Sequence, residues 1–278
     1  MIQRLERIED FLANIEALFD DGRLDRARAE LARAREIFPQ SAVLHEWEAV
    51  FASEDGRLRD ALEFLNQALT IDPDRRFAMR EKAGVLLELG RFEDCFELLQ
   101  RLGPDGPRDA AHYFHLASCE DRLGRFAEAD AHFARAVGVN PRDHRMPLRL
   151  SRHLFEDLVR RALDGLPLVV REVLSRAHIV VEDYPGPRDF DPFLLCVYSP
   201  APRYRQQRSD DDTETYLTLF KRNLEFEFPD EKLLEVGIGR MVAREVSQRH
   251  ALNVEIPDDG ALDALDLDEG EEESSKDA

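Results

Sequence analysis

Gly22-Arg23-Leu24 returns three times along the chain, as Gly56-Arg57-Leu58, as Gly90-Arg91-Phe92 and as Gly124-Arg125-Phe126. The glycines stand at positions 22, 56, 90 and 124, so each copy follows the last by 34 residues. A fixed period of this length is typical of stacked repeats, in which every repeat is one supersecondary unit. The first half of the chain is therefore predicted to be a repeat array.

Three further positions keep the same step. Each Gly is followed after five residues by a small residue, after nine by a large apolar residue and after seventeen by a proline. The small residues are Ala27, Ala61, Cys95 and Ala129, the large ones Leu31, Leu65, Leu99 and Phe133, and the prolines Pro39, Pro73, Pro107 and Pro141. We expect the Gly to end one helix with a positive φ, the small residue to allow a close helix crossing, and the Pro to end the next helix.

In its length and in this order of residues, the stretch 8–143 resembles the tetratricopeptide repeat. The resemblance implies four repeats, 8–41, 42–75, 76–109 and 110–143, and predicts eight helices stacked as four hairpins into an α-solenoid. In the third copy Leu102-Gly103-Pro104 replaces the last helical turn, which predicts a short helix there.

The same resemblance implies a concave groove that binds a protein or peptide partner through residues of the first helix of each repeat. The groove positions are Leu12, Glu16, Phe19, Val43, Glu46, Val50, Phe77, Arg80, Leu87, Phe114, Ser118 and Asp121. The Lys/Asn/Arg set that holds a C-terminal carboxylate in chaperone-binding relatives is absent. We expect a partner with apolar or basic side chains, anchored on Phe77 and Phe114, because aromatic anchors dominate interface energies.

Composition argues against several classes of protein. The formal net charge of −20 disfavours nucleic-acid and anionic-membrane partners. Residues 255–278 contain eleven acids and one lysine, which predicts a disordered tail. No stretch approaches the ~18 apolar residues of a membrane span, and the N-terminus has no apolar signal core. Cys95, Cys119 and Cys196 show no paired spacing, as in a reduced cytoplasmic protein.

After residue 148 the pattern changes, which predicts a small α+β domain over 149–254, between the repeats of 1–148 and the tail of 255–278. Helices are predicted over 151–165 and 166–174, strands over 179–181, 194–198 and 215–220, and a last helix over 229–252. Ile179-Val180-Val181 is a β-branched run, which is typical of a buried strand.

This order of elements resembles the small bacterial zincin-like metallopeptidases, and so do the local sequences over 179–183, 194–198 and 218–225. In that family the last helix carries His-Glu-x-x-His. Its two histidines bind zinc from one helix face, and its Glu acts as general base on the metal-bound water. The resemblance implies a zincin-like fold for the second domain.

The matching stretch in this chain lacks both histidines. It reads Arg244-Glu245-Val246-Ser247-Gln248, so that Glu245 matches the general base while Arg244 and Gln248 stand at the ligand positions. A guanidinium has no lone pair for a metal, and a neutral amide oxygen is a poor ligand for Zn²⁺. His250 lies on another helix face and does not complete the site. We therefore expect neither zinc nor any other cofactor, and a Glu245 that is only a vestigial general base.

Glu245 also has a purely structural interpretation. A helical wheel places it on an apolar face with Leu234, Ile238, Met241 and Leu252. A carboxylate on such a face is unusual, and the structural alternative to a catalytic role is an ion pair with Arg249, four residues later.

Two other clusters allow functional interpretations. His112 and His115 lie three residues apart on a repeat helix, but no further metal ligands are evident nearby, and a pair on the helix surface is favoured. Residues 203–208 contain three arginines and a tyrosine that could bind phosphate. Three aspartates follow directly over 210–212, so local ion pairing is favoured there.

These patterns predict a protein–protein interaction adaptor or regulator with an inactive metallopeptidase-like domain. The alternative is a zinc-dependent metallopeptidase with altered ligands. The expected partner is a protein or peptide in the repeat groove, without nucleic acid or membrane, and the expected location is the cytoplasm.

Overall fold

A computed structural model describes residues 7–106, 108–186, 191–199 and 215–253 of the chain. The chain divides into two compact units, Met1–His144 and Arg145–Ala278. The arginine and aspartate stretch of 203–212 and the acidic tail of 255–278 lie outside the described residues. Among the residues that are described, every helix is too short or too polar to span a membrane.

Within its described part, the first unit contains the eight predicted helices. They are α1 (Ile8–Asp20), α2 (Leu24–Ile37), α3 (Ala42–Glu54), α4 (Leu58–Ile71), α5 (Arg76–Glu88), α6 (Phe92–Leu102), α7 (Ala110–Arg122) and α8 (Phe126–Val139). Consecutive helices pack as hairpins, and neighbouring hairpins share apolar clusters. The predicted helical solenoid is confirmed.

The turn inside each hairpin depends on its glycine. Gly22, Gly56, Gly90 and Gly124 have φ angles of 68°, 69°, 69° and 75°. In all four turns the N–H of the following arginine donates to the carbonyl five residues earlier at 2.8 Å. This hydrogen bond defines the Schellman end of a helix, and it needs a left-handed residue that only glycine adopts without a steric penalty.

The other repeated positions form the core of the array. The small residue five positions after each Gly is fully buried in every copy, and the large apolar residue nine positions after it is also buried in every copy. The short helix predicted for the third hairpin is confirmed, because α6 has 11 residues whereas α2, α4 and α8 have 14. Gly103, with φ of 63°, ends this short helix.

The second unit combines helices with a three-stranded sheet. Its elements are α9 (Arg152–Asp164), α10 (Leu168–Leu174), β1 (Ala177–Glu182), β2 (Cys196–Ser199), β3 (Thr215–Phe220), α11 (Lys221–Glu227) and α12 (Glu231–His250). The strand order is β1-β3-β2, with β1 parallel and β2 antiparallel to β3. Helices α9, α10 and α12 and the inner residues of the sheet form one apolar core.

The ends of α9 and α12 show why these helices could be located from sequence. Ser151 accepts a hydrogen bond from the N–H of Leu154, and Asp230 accepts one from the N–H of Leu233 at 2.9 Å. Both are N-cap contacts that satisfy otherwise unpaired helix donors. The last helix ends at His250, two residues before the predicted boundary, where Ala251 takes the left-handed conformation.

The predicted burial of the first strand was wrong. Ile179 is 41% exposed, Val180 is half-buried, and only Val181 is buried. The apolar core of the second unit includes Val181 but neither Ile179 nor Val180, so only one end of β1 packs into it. A β-branched run indicates a strand, but it does not show whether that strand is central.

Helix α11 was not predicted from the sequence. Its Glu225 is fully buried and accepts hydrogen bonds from Lys221 at 2.5 Å and from Arg222 at 3.2 Å. It also accepts the backbone N–H of Leu150 at 2.7 Å. We call Lys221, Arg222 and Glu225 the Glu225 cluster. It ties α11 to the segment that leads into α9.

Candidate functional site

The first unit contains a cavity of about 290 Å³ among its repeat helices. Glu81 and Glu88 of α5 and His112 and His115 of α7 supply its polar lining, together with Arg80. Apolar side chains of α6 complete the cavity, and Ser53 reaches it from α3. Three of the four repeats therefore contribute to the cavity, mainly through their first helices.

Arg80 is held in place by acidic residues of the loop after α6. Its guanidinium forms ion pairs with Asp105 and with Asp109, the latter at 2.6 Å. Asp105 is also paired with Arg76, whose guanidinium donates to the carbonyls of Leu102 and Gly103. The short α6 and its glycine thus create a loop whose acids balance the charge of both arginines, while the buried Nε of Arg80 has no hydrogen-bond partner among the described residues.

Asp109 links this loop to helix α7. Its carboxylate is the N-cap of α7, accepts the N–H of His112 at 3.2 Å, and accepts the N–H of Asp105 at 2.8 Å. Burial alone would raise the pKa of Asp109. The hydrogen bonds from these two N–H groups and from Arg80 outweigh burial and hold its pKa below the usual value. Asp109 is therefore a fixed negative charge beside the cavity.

Glu81 and Glu88 differ from these paired acids. Among the described residues, neither carboxylate has a hydrogen bond or an ion pair with a basic group. Burial raises the pKa of Glu81, and the nearby charge of Glu46 raises it further. The uncompensated charge of the cavity is thus negative.

His112 adds an unsatisfied polar atom to the cavity. The residue is only 5% exposed, and its Nδ1 has no hydrogen-bond partner among the described residues. Burial lowers the pKa of His112 and also that of His115 below the ordinary 6.5. Both imidazoles are accordingly neutral at pH 7, with one nitrogen left as an acceptor.

The favoured interpretation of these two histidines as a pair on the helix surface was wrong. His112 is buried and His115 is half-buried, because both side chains face the neighbouring helices rather than solvent. Within the described ranges no group of three His, Cys, Asp or Glu residues is arranged to hold a metal ion.

The other predicted groove residues fall into two groups. Phe77 is 48% exposed, whereas Phe114 is half-buried and packs against Phe133 and His144 with ring centroids 5.6 and 4.6 Å away. Five more of the predicted groove residues are half-buried, and the first four of them pack against the apolar clusters of the array: Leu12, Phe19, Val43, Leu87 and Val50. Of the predicted set, only Arg80 lines the cavity. Phe77 is thus the most accessible of the predicted anchors.

The first two hairpins contain an aromatic cluster and a buried ion pair. Phe19 packs edge-on against Trp47 and Phe51, with ring centroids 5.5 and 5.6 Å away. Glu46, a predicted groove residue, is buried and accepts two hydrogen bonds from Arg75 at 2.5 and 2.6 Å. Both features stabilise the array and leave these side chains little freedom to contact a partner.

In the second unit, Glu245 lies half-buried on α12. The buried face of the helix differs from the predicted one, because it includes Val242 and Val246 and leaves out Met241. Glu245 therefore lies beside the buried face and not at its centre. Among the described residues it forms no ion pair with Arg249.

The side chains near Glu245 are not arranged as in a zinc site. Arg244 and Gln248, at the positions of the zinc-binding histidines, are both exposed. His250 pairs with the hydroxyl of Tyr198 at 3.1 Å. Burial, and then the charge of Glu245, raise the pKa of the Cys196 thiol to about 12, so that thiol stays protonated.

Sequence reasoning missed Glu81, Glu88 and His112 as members of one site. Glu81 directly follows Arg80, which was predicted as a groove residue, and this adjacency was the one sequence signal that Glu81 belongs to the site. His112 belongs to the next repeat, and its unsatisfied nitrogen becomes evident only when the helices are packed.

The helical array and its cavity place the first unit in the class of stacked helical-repeat proteins. Family models of the tetratricopeptide repeat match residues 12–76, 52–119 and 111–143. Residues 12–143 therefore consist of tetratricopeptide repeats, as the 34-residue period predicted. No curated protein matches the chain.

Several solved structures are similar to about half of the chain. A MamA RS-1 double mutant is 17% identical over 48% of this chain and 75% of that chain, with a TM-score of 0.44. MamA from Desulfovibrio magneticus RS-1 is 16% identical over 48% and 76%, also with a TM-score of 0.44. PilF of Pseudomonas aeruginosa is 22% identical over 48% and 61%, with a TM-score of 0.43. These likenesses are too distant to indicate a function.

Proposed function

We propose that this protein is an interaction adaptor or regulator whose tetratricopeptide repeats bind a peptide segment of a partner protein. The observation that carries the proposal is the cavity between repeats, in which Nδ1 of the buried His112 has no hydrogen-bond partner among the described residues and the half-buried Glu81 has no basic partner. A buried polar atom left unsatisfied in a fold is costly unless a ligand completes it. The exposed Phe77, on the same helix as Glu81, offers the partner an apolar anchor.

The role of Phe77 can be tested by photo-crosslinking in cells that express the full chain. A photoreactive phenylalanine analogue replaces Phe77 in one variant and Phe126, an exposed residue of the second helix of the last hairpin, in the control. We expect a discrete crosslinked partner from position 77 and none from position 126. Equal crosslinking at both positions, or none at position 77, would contradict binding through the groove.

A substitution gives an independent measure. Phe77→Ala should weaken capture of that crosslinked partner strongly, because truncation of an aromatic anchor costs ~2 kcal/mol or more. Its thermal stability should change little, since the side chain is half exposed. Ile71→Ala is the matched control at the end of α4. Phe114 is less suitable, because its ring packs against Phe133.

We further propose that the second unit is a zincin-like domain that has lost zinc catalysis. Support comes from the donor set, since Arg244 offers no lone pair and Gln248 only a neutral amide oxygen. Elemental analysis of the protein purified without chelators tests this point. Stoichiometric zinc that disappears in Glu245→Ala or His250→Ala would overturn it and favour a peptidase with altered ligands.

A cytoplasmic location and the absence of a nucleic-acid partner complete the proposal. All three cysteines are free and buried, which suits a reducing compartment. The net charge of −20 would repel a polyanion.

A further inference from the structure

The charges around the repeat cavity do not balance. Arg76 and Arg80 are matched by Asp105 and Asp109, with which they form ion pairs. The charges of Glu81 and Glu88 remain without a basic partner among the described residues. An isolated ammonium or guanidinium group that entered the cavity would therefore meet the half-buried carboxylate of Glu81, which has no basic partner, and the solvent-exposed carboxylate of Glu88 at the rim.

An independent observation points to the same kind of ligand. His112 lines the cavity, is 5% exposed, and has an Nδ1 atom without a hydrogen-bond partner in the described part of the chain. In a neutral imidazole protonated on Nε2, this atom is an acceptor. Buried polar atoms are nearly always satisfied, so the cavity lacks a donor for Nδ1 of His112, as it lacks an acceptor for the buried Nε of Arg80.

We propose that the cavity receives the cationic end of a lysine or arginine side chain from the partner peptide, with Glu81 and Glu88 as counter-ions and Nδ1 of His112 as a hydrogen-bond acceptor. This inference rests on the proposed function, since it names the chemistry of the partner for the same groove. The volume of about 290 Å³ is at the small end of ligand pockets, which suits one side chain rather than a whole small molecule.

Without a ligand, the ionised carboxylate of Glu81 should destabilise the folded protein. Burial raises the pKa of Glu81, so its ionised form destabilises the fold at neutral pH. Glu81→Gln should therefore leave the melting temperature unchanged or raise it. A carboxylate with a structural partner would behave in the opposite way, because its removal would lower the melting temperature.

Binding is tested with a displayed library of short random peptides, screened on the immobilised full-length chain. We expect the enriched peptides to share one lysine or arginine position. One such peptide and its norleucine derivative are then titrated by fluorescence anisotropy against the natural chain, Glu81→Gln and the control Glu63→Gln. Glu63 is an exposed acid of α4.

The natural chain and Glu63→Gln should bind the basic peptide about tenfold more tightly than its norleucine derivative, the effect of one charge-assisted hydrogen bond. In Glu81→Gln that ratio should fall towards one. His112→Phe, which keeps the ring volume but removes the acceptor, should weaken the basic peptide more than its derivative.

The outcomes separate the two proposals. Enriched peptides that are acidic or purely apolar, and that lose affinity for Phe77→Ala, would overturn the basic-side-chain inference but leave the groove as a peptide site. A drop in the melting temperature of Glu81→Gln would also overturn the inference. Enrichment of no peptides, or of peptides indifferent to Phe77→Ala, would refute peptide binding by the groove itself.

Discussion

The Glu225 cluster allows a quantitative test of how the second unit is held together. Glu225 is 0% exposed and Lys221 is 3% exposed, and their side chains are 2.5 Å apart. Glu225→Gln preserves the shape of the side chain and can still accept the N–H of Leu150. It removes the charge that compensates Lys221, which is left almost completely buried.

The size of the effect follows from this burial. Removing one partner of a buried ion pair destabilises a fold by about 3–5 kcal/mol, because the other charge stays desolvated. The hydrogen bond kept to Leu150 places the expected loss near the lower end, at about 3 kcal/mol. A domain is stable by only about 5–15 kcal/mol, so this loss is a large fraction of the total.

The assay is hydrogen exchange of the full chain, read by mass spectrometry in peptides from β3 and α11. Glu225→Gln should speed exchange there by roughly a hundredfold, as expected for a loss of about 3 kcal/mol. Glu227→Gln, an exposed acid on the same helix, should change the free energy by less than about 0.5 kcal/mol. High salt should not remove the difference, since buried pairs are screened little. Equal exchange in both variants would show that Lys221 does not depend on its partner.

Two further predictions concern the repeats. Gly56→Ala should destabilise the array by about 1 kcal/mol, because the residue has a φ of 69°. Gly84→Ala should instead stabilise it by up to about 1 kcal/mol, since this glycine lies inside a helix and has open space around it. Melting temperatures that shift in the same direction in both variants would contradict this reasoning. Because burial holds the pKa of His112 and of His115 below 6.5, the unfolded chain binds more protons, and the free energy of unfolding should fall as the pH drops below that value. Urea midpoints on both sides of 6.5 measure the change, which should be smaller in His115→Asn; identical profiles would argue against this role for burial.

The repeat array could be predicted because its signals are local. A glycine at each turn and a small residue five positions later act within a few residues of themselves, and four copies reinforce the same period. The third strand was located correctly for a similar reason, since Thr215–Phe220 is rich in residues that favour strands.

The missed features depend on contacts distant in sequence. Helix α11 consists largely of charged and polar residues, and its burial depends on Glu225 meeting Leu150, 75 residues away. The exposure of Ile179 depends on where along β1 the apolar core ends, which residues distant in sequence determine. The cavity joins Glu81 of one repeat to His112 of the next, and no periodic pattern in either repeat marks their pairing.

Trp47 gives the molecule an intrinsic optical reporter. It is the single tryptophan of the sequence, and it lies beside Phe19 and Phe51 in the first two hairpins. Its emission will shift to longer wavelength when those hairpins open and expose the indole to water. The second unit has tyrosines but no tryptophan, so emission excited selectively at the indole follows the start of the array alone, while circular dichroism records helix loss everywhere. The difference between the two signals measures whether the array opens before the rest of the chain, without any added label.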